Sequence, residues 1–409
     1  MGAVQAAPDA RVGSGGTVTF GPSGRAAAKP RQDDGISTRV IDDEPGWDAI
    51  KRKWNDLYEC SPSASPPLGF DWLRSWWDVY RPTLGAPSLR IITLWRGPHL
   101  VAALPLYLHL SPHLGLRRIG FISTGEAEFE ETCPDYLNLL SLPGEEGRCA
   151  ALMWRAIEAL SWDHLQLNNL AADTALLRPG ISPPDAQPFS TTTCPVANLT
   201  GGFEAYLQRL SSNGRQQARR LLREGARAGA SLELAASHQG GDAFNDLTRL
   251  HQARWNLEAR PGVFAAHRFA EFHRRLIANW LPAGRVVLAR LSLASRPVAA
   301  LYGFVTGSKF DFYQSGVDIG AASPLRSPGN LAHLLLMKAL ADRRFDSYDF
   351  LAGTAPYKMR LATAENQLVS VRIWRRTIRS ASYRSAQLAA RILRIGFPSA
   401  RKESRLLLP

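Results

Sequence analysis

Apolar and polar positions alternate in helix-like and strand-like periods along most of this 409-residue chain. Apolar residues recur at helical spacing over 47–58. A second amphipathic helix is predicted over 71–80, the Trp-rich phrase Asp71-Trp72-Leu73-Arg74-Ser75-Trp76-Trp77-Asp78-Val79-Tyr80. Strand-like stretches follow at 89–95 and 100–108, joined by Arg96-Gly97-Pro98-His99, a hairpin signal. Another strand is expected at 136–142, a helix at 150–160 and a strand at 164–170. Pro, Thr and Ser crowd residues 178–198, which reads as a linker. Residues 1–36 carry no periodicity and read as a disordered tail.

The same order returns in the second half. Helices at 214–226 and 242–257 precede strands at 285–293 and 297–306, with Ala294-Ser295-Arg296 as the turn. A strand at 309–317, a helix at 329–342 and a strand at 346–351 complete it. Aligned without gaps, residues 91–108 and 288–305 share five identities, four of them the block Val-Ala-Ala-Leu at 101–104 and 298–301. The pattern predicts a mixed αβ (α+β) protein built by duplicating one unit. Its expected parts are a tail (1–36), domains at 37–198 and 199–376, and a basic amphipathic tail at 377–409.

Composition narrows the reading. At 45% hydrophobic and 21% charged residues, the chain is that of a folded protein rather than a disordered one. The net charge of +13 is not spread evenly. Residues 209–227 hold six Arg against Glu224, and residues 372–409 hold ten Arg or Lys against Glu403, so everything else is close to neutral. Because 42 of the 49 basic residues are Arg, much of that usage reflects composition bias. A general nucleic-acid binder is therefore not expected. Four dispersed cysteines argue against a disulfide framework or a zinc module, and nine scattered histidines suggest no metal. No apolar run is long enough to span a bilayer, and the first 35 residues lack the apolar block of a signal peptide. A cytoplasmic protein is the expectation. The C-terminal tail, with Ile378, Ala381, Leu388, Ile392 and Ile395 on one side, adds either docking on the second domain or peripheral contact at the inner face of the plasma membrane.

Six phrases in the second half fit one family in the same order. They are the Arg-rich helix 215–223, Leu250-His251-x-x-Arg254-Trp255, Pro297-Val298-Ala299-Ala300, Tyr313-Gln314-Ser315-Gly316-Val317-Asp318, Ser327-Pro328-Gly329, and Asp349-Phe350-Leu351-x-Gly353-x-x-x-Tyr357-Lys358. This set resembles the CelD-type, FemAB-related branch of the GNAT acyltransferases, associated with cellulose and exopolysaccharide gene clusters. The resemblance is strong over about 203–376 and weaker before it. It implies two tandem GNAT-like domains in a FemAB-like arrangement, the first degenerate. It also implies acyl transfer from acetyl-CoA or another acyl-CoA to an amine or hydroxyl of a small molecule or saccharide. The alternatives it leaves are a FemAB-like transferase using aminoacyl-tRNA, in which tRNA would be the one nucleic-acid partner, and a non-catalytic component of a polysaccharide-assembly complex.

The residues themselves support some of these roles. Ser327 suits an N-cap, Pro328 the first helical position and Gly329 a close approach of an anion to helix N–H groups, with Arg326 alongside. An ordinary capped helix reads the same way. The resemblance makes Arg326, Ser327, Gly329 and Asn330 the pyrophosphate site of coenzyme A, and it gives a backbone N–H of strand 309–317 to the thioester carbonyl. In that strand Asp311, Tyr313 and Ser315 alternate with Phe310, Phe312 and Gln314. The general-base candidates are His251, Asp318 and Asp349, the last on an apolar strand that demands a partner, for which Lys358 is nearest in sequence. The resemblance puts Tyr357 at the position of the general acid, where an aromatic residue is also ordinary packing. Arg254, Trp255, Gln314 and Lys358 are expected toward the substrate. Arg215, Arg219, Arg223 and Arg227, four apart, line one helix face that either contacts an anion or is simply solvated.

Overall fold

Two hairpins of matching register set the frame of the molecule. In a computed structural model, residues 35–111, 115–257, 259–318, 320 and 325–386 are described, and those from Ile36 onward belong to one compact unit. The expected tail (apart from its last two residues) and most of the basic C-terminal segment, residues 387–409, lie outside the described residues. Residues 378–386 are helical, as the periodicity predicts.

The first half begins with strand β1 (Ile36–Ile41) and helices α1 (Glu44–Asp48), α2 (Lys51–Cys60) and α3 (Phe70–Tyr80). Strands β2 (Ser88–Leu89), β3 (Ile91–Arg96), β4 (His99–Leu104), β5 (Leu106–Leu110), β6 (Arg117–Phe121) and β7 (Leu140–Ser141) follow. Helix α4 (Glu146–Ala159), β8 (His164–Ala171) and β9 (Gln187–Asn198) lead into the second half. There, α5 (Phe203–Arg209), α6 (Ser212–Arg227) and β10 (Ser231–Leu234) precede α7 (Gly240–Leu257) and α8 (His267–Trp280). The antiparallel strands β11 (Val286–Leu293), β12 (Arg296–Thr306) and β13 (Lys309–Val317) come next. They are followed by α9 (Pro328–Ala341), β14 (Ser347–Asp349), α10 (Pro356–Leu361) and β15 (Ala364–Trp374).

The internal likeness read from the sequence is visible in the ladders. The β3–β4 pairs Ile92↔Leu104, Thr93↔Ala103, Leu94↔Ala102, Trp95↔Leu100 and Arg96↔His99 each map by the ungapped alignment onto a β11–β12 pair. The register shift after Leu94 maps onto the one after Leu291. One register, bulge included, serves both hairpins, and the Val-Ala-Ala-Leu block lies on the second strand of each. The second hairpin turns on Ala294 and Ser295, both with positive φ, the two-residue geometry that matches strand twist.

The halves do not keep separate sheets. Strands β1-β3-β4-β7 form a small sheet, but eleven strands run continuously in the order β10-β11-β12-β13-β14-β9-β15-β8-β6-β5-β2. Residues 178–198, expected as a linker, therefore end in a central strand: β9 pairs with β14 on one side and β15 on the other. Its Thr and Ser residues are β-branched or small enough for a half-exposed ladder, which the linker reading overlooked. The single strand expected at 100–108 breaks at Pro105, which has no N–H to donate, and its two pieces join different sheets. Of 136–142, only Leu140–Ser141 pairs as a strand.

Two cores cover the two faces of the second-half sheet. On one face Trp72 and Leu73 of α3 pack with α7, α8 and the β12 residues Tyr302 and Phe304. On the other, α5, α6 and α9 cover Phe310, Phe312 and Tyr348. Helix α6 crosses α9 closely at Gly225, where an added Cβ would stand 2.6 Å from Leu331. No helix among the described residues is long and apolar enough to cross a membrane.

Candidate functional site

A fork in the sheet positions the site. Strand β13 pairs in parallel with β14 only over Lys309↔Ser347, Phe310↔Tyr348 and Asp311↔Asp349. It then continues to Val317 with no strand of the described residues beside that edge, while β14 turns away into residues 351–355. On its other edge β13 carries a bulge at Tyr313: Tyr302 registers with Gln314, but Gly303 registers with Phe312. The extra residue reverses the alternation read from the sequence. Asp311 and Tyr313 share a face as expected, but Gln314 and Gly316 join them on the α7 side, and Ser315 pairs with Leu301 of the opposite core.

The N-terminus of α9 lies at the open end of the fork. An added Cβ on Gly329 would stand 3.2 Å from Val317 at the end of β13. Ser327 occupies the N-cap position, but its hydroxyl makes no capping bond, contrary to the sequence reading, because its ψ of 73° turns it away from the helix. The first-turn N–H groups are thus left for an outside acceptor. Arg326 is exposed beside them, and Asn330 is half-buried.

His251, on α7, is buried, and both of its ring nitrogens are engaged. The Trp255 indole donates to Nε2 at 3.0 Å, so Nδ1 carries the proton and donates to Gln252 Oε1 at 3.1 Å. Burial lowers its pKa, with Arg254 adding to the effect, so the ring is neutral. This arrangement suits an orienting group, and neither nitrogen is open to a substrate proton. Trp255 is accordingly tied to His251, while the Arg254 charge acts on both His251 and Tyr357. Helix α7 lies so close to β13 that a Cβ on Gly316 would stand 2.6 Å from the backbone of Leu247 and His251.

Asp318 pairs with Arg296 at 2.9 Å and accepts from the Gly320 N–H at 2.9 Å. Asp349 is fully buried, and its partner is Lys309, not Lys358. Its Oδ2 accepts from Tyr136 Oη at 2.6 Å and lies 3.2 Å from Lys309 Nζ, while Oδ1 accepts from the Leu351 N–H at 2.7 Å. Lys358 instead donates to the carbonyls of Leu351 and Ala352, at 3.3 and 2.7 Å. Burial lowers the Lys358 pKa against the pull of Asp135 and Asp349. Proximity in sequence suggested Lys358; the parallel β13–β14 register puts Lys309 closer. Tyr357 stacks on His333 with ring centroids 5.4 Å apart, and burial pushes its phenol up to about 12, so it stays protonated at neutral pH.

Four groups at the fork escaped the sequence reading as functional candidates: Lys309, Asp311, Asp135 and Tyr136. Lys309 Nζ lies 3.0 Å from Asp311 Oδ1 and 4.0 Å from the Tyr136 ring centre. Asp135, buried, accepts from the Ala352 N–H at 2.7 Å and from Asn169 Nδ2 at 3.2 Å. A lysine two residues before a carboxylate within an aromatic strand, in a chain with seven lysines in all, was the available signal for the first two. Asp135 and Tyr136 come from the first half, and no local pattern announces them.

Residues 212–359 match the profile of a family described as "Acetyltransferase (GNAT) domain". Among solved structures, FemX aligns with a TM-score of 0.51 at 11% identity, covering 78% of this chain and 96% of that one. A conserved protein of unknown function from Bacteroides thetaiotaomicron aligns at 0.52 and 9% identity, covering 82% and 100%. The C-terminal domain of a putative lysylphosphatidylglycerol synthetase from Agrobacterium fabrum aligns at 0.50 and 10% identity, covering 84% and 96%. No curated protein matches the chain. At these identities the likeness is one of fold: the chain has a mixed α+β, GNAT-like and FemAB-like architecture.

Proposed function

We propose that the chain is an acyl-CoA-dependent acyltransferase that binds its donor across the β13–β14 fork and its acceptor between the two halves. The observation that carries this reading is the fork itself. Beyond Asp311 the free edge of β13 offers backbone N–H groups to a thioester carbonyl laid between the strands. Fixed donors aimed at a developing oxyanion contribute roughly 3 kcal/mol to a transition state. The uncapped N-terminus of α9, with Gly329 presenting no side chain and Arg326 alongside, would hold the pyrophosphate of the coenzyme. Tyr357, protonated and on the α9 side of the sheet, would return a proton to the departing thiolate.

Acetyl-CoA is the donor to try first, and the resemblance to CelD-type proteins makes a sugar or small amine of surface-polysaccharide synthesis the acceptor class. Saturating acetyl-CoA is expected to raise the melting temperature of the full chain. A ligand at a hundred times its Kd adds about 2.7 kcal/mol, a shift of several degrees. Gly329→Glu, which fills the approach to the α9 amides and adds a negative charge, is expected to abolish that shift while leaving the unliganded melting temperature near wild type. If no short-chain acyl-CoA moves the wild-type transition, the reading is wrong.

A further inference from the structure

The helix over residues 378–386 is docked by its polar side, the reverse of what an amphipathic helix does on a globular core. Asp163, with a fully buried side chain, ties down its start. The carboxylate meets Arg117 at 3.1 Å and accepts from Thr377 Oγ1 at 2.9 Å. The Asp163 backbone carbonyl accepts from the Arg375 N–H at 3.0 Å and from Ser380 Oγ at 2.9 Å. Thr377 also caps the helix, accepting from the Ser380 N–H at 3.1 Å. Nearly one turn on, Tyr383 stacks on Trp374 with ring centroids 5.7 Å apart. Ser380 and Tyr383 therefore face the protein. Ile378 and Ala381 face solvent, and Ile378, at 88%, is the most exposed large hydrophobic side chain among the described residues.

One exposed isoleucine alone would be ordinary. Its surroundings make it part of a surface. Residues 372–386 hold five arginines, and no Asp or Glu occurs between 372 and Glu403. Arg376, Arg379 and Arg384 are exposed on the helix or at its start. Arg372 and Trp374 lie two apart on β15 and so share a face of the sheet, which sets Arg372 beside the Tyr383 end of the dock. Arg372 is exposed, and its guanidinium covers the half-exposed ring of Phe189 at 5.3 Å. In the sequence the apolar spacing continues beyond residue 386, with Leu388, Ile392 and Ile395 seven, eleven and fourteen positions after Ala381. Basic groups around an outward apolar stripe complement an anionic lipid surface. A second copy of this chain would set arginine against arginine across a symmetric contact.

We propose that this end of the molecule docks on the surface of a bilayer containing anionic phospholipid. The helix from 378 onward lies in the headgroup layer, with Ile378 and Ala381 toward the acyl chains and Arg372, Arg376, Arg379 and Arg384 at the phosphates. The anchor at Asp163 fixes the helix to the folded body, so the body is held at one orientation to the membrane rather than on a loose tether. This does not depend on the acyl-transfer reading; either can fail without the other.

Flotation of the full chain with unilamellar vesicles tests it. Partitioning into phosphatidylcholine vesicles carrying about 30% phosphatidylglycerol is expected to exceed that into pure phosphatidylcholine by about tenfold or more, and to fall as salt is added. Ile378→Asp should lower it by about tenfold or more, the worth of one buried isoleucine. Aspartate at this first helical position favours the helix, so lost binding is not lost helix. The pair Arg376→Gln and Arg384→Gln should lower it by about 25-fold, at roughly fivefold for each charge. Val40→Asp, at another exposed apolar position, on β1 of the smaller sheet, should leave it unchanged. Each variant is checked for a wild-type melting temperature. Equal partitioning into the two kinds of vesicle overturns the proposal, as does wild-type binding by Ile378→Asp or by the arginine pair. So does absence of vesicle binding with either a wild-type dimer that Ile378→Asp disperses in sedimentation velocity or a tRNA gel shift that the arginine pair abolishes.

Discussion

Lys309→Met is expected to destabilise the protein by about 3–5 kcal/mol at pH 8, read as the loss of unfolding free energy in urea. Removing one member of a buried ion pair leaves the other charge without compensation, which is the expensive way to break it. Here two carboxylates are stranded, Asp311 and Asp349, with side chains 2% and 0% exposed. The loss should fall toward the lower end of the range, because the Lys309 side chain is itself 31% exposed and partly screened by water. Methionine keeps most of the aliphatic stem, so lost packing is a minor part of the effect.

The pH dependence separates this cause from a packing defect. A carboxyl whose folded pKa is raised contributes stability that is fully present below its unfolded value near 4 and is lost as pH rises through the folded value. For Asp311 that window runs from about 4 to about 6, and for Asp135 to about 7. Without Lys309 the Asp311 window extends upward, since the nearest positive charge is gone. The difference between variant and wild type should therefore shrink as pH falls from 8 toward 5. A difference that stays constant over that range would mean the lysine acts through packing, and the charge account would be wrong.

Much of this architecture is legible in the sequence where the period is strong and the partners are local. Both hairpins, the Trp-rich helix and the repeated order of elements follow from alternation and turn residues. The shared register of the two hairpins is already present in the Val-Ala-Ala-Leu blocks. The continuity of the sheet is not legible, because β9 reads as polar and Pro-rich; its place between β14 and β15 is decided by long-range pairing. The site divides the same way. Gly329 was singled out because a stripped helix start is a local pattern. Asp349 was recognised as needing a partner, but nearness in sequence chose Lys358 over Lys309, and only the parallel register of β13 with β14 decides between them. The bulge at Tyr313 reverses the facing of every later residue in that strand, and a pattern of period two cannot show it.

Trp72→Ala is expected to be the most damaging single substitution in the interface between the halves, at about 3–5 kcal/mol. The indole is 1% exposed and meets Phe272 and Phe304 edge-on at 5.0 and 5.1 Å, with Trp280 and Tyr313 a little farther away. It belongs to α3, yet these four rings belong to α8, β12 and β13, so the cavity left behind opens between the halves where neither can collapse alone. Its N–H also donates to Ser123 Oγ at 2.8 Å, and truncation strands that buried hydroxyl. Trp72→Phe keeps most of the ring volume and loses the hydrogen bond, so it should cost roughly 1–3 kcal/mol. Because the sheet is continuous through both halves, unfolding of either variant should remain a single transition by fluorescence and by circular dichroism. The acyl-CoA site proposed at the start of α9 is on the opposite face of β13, so the folded fraction of Trp72→Ala should still show the acetyl-CoA shift. A loss below about 1 kcal/mol, or a transition that splits in two in the wild type, would show that the halves are not held together through this residue.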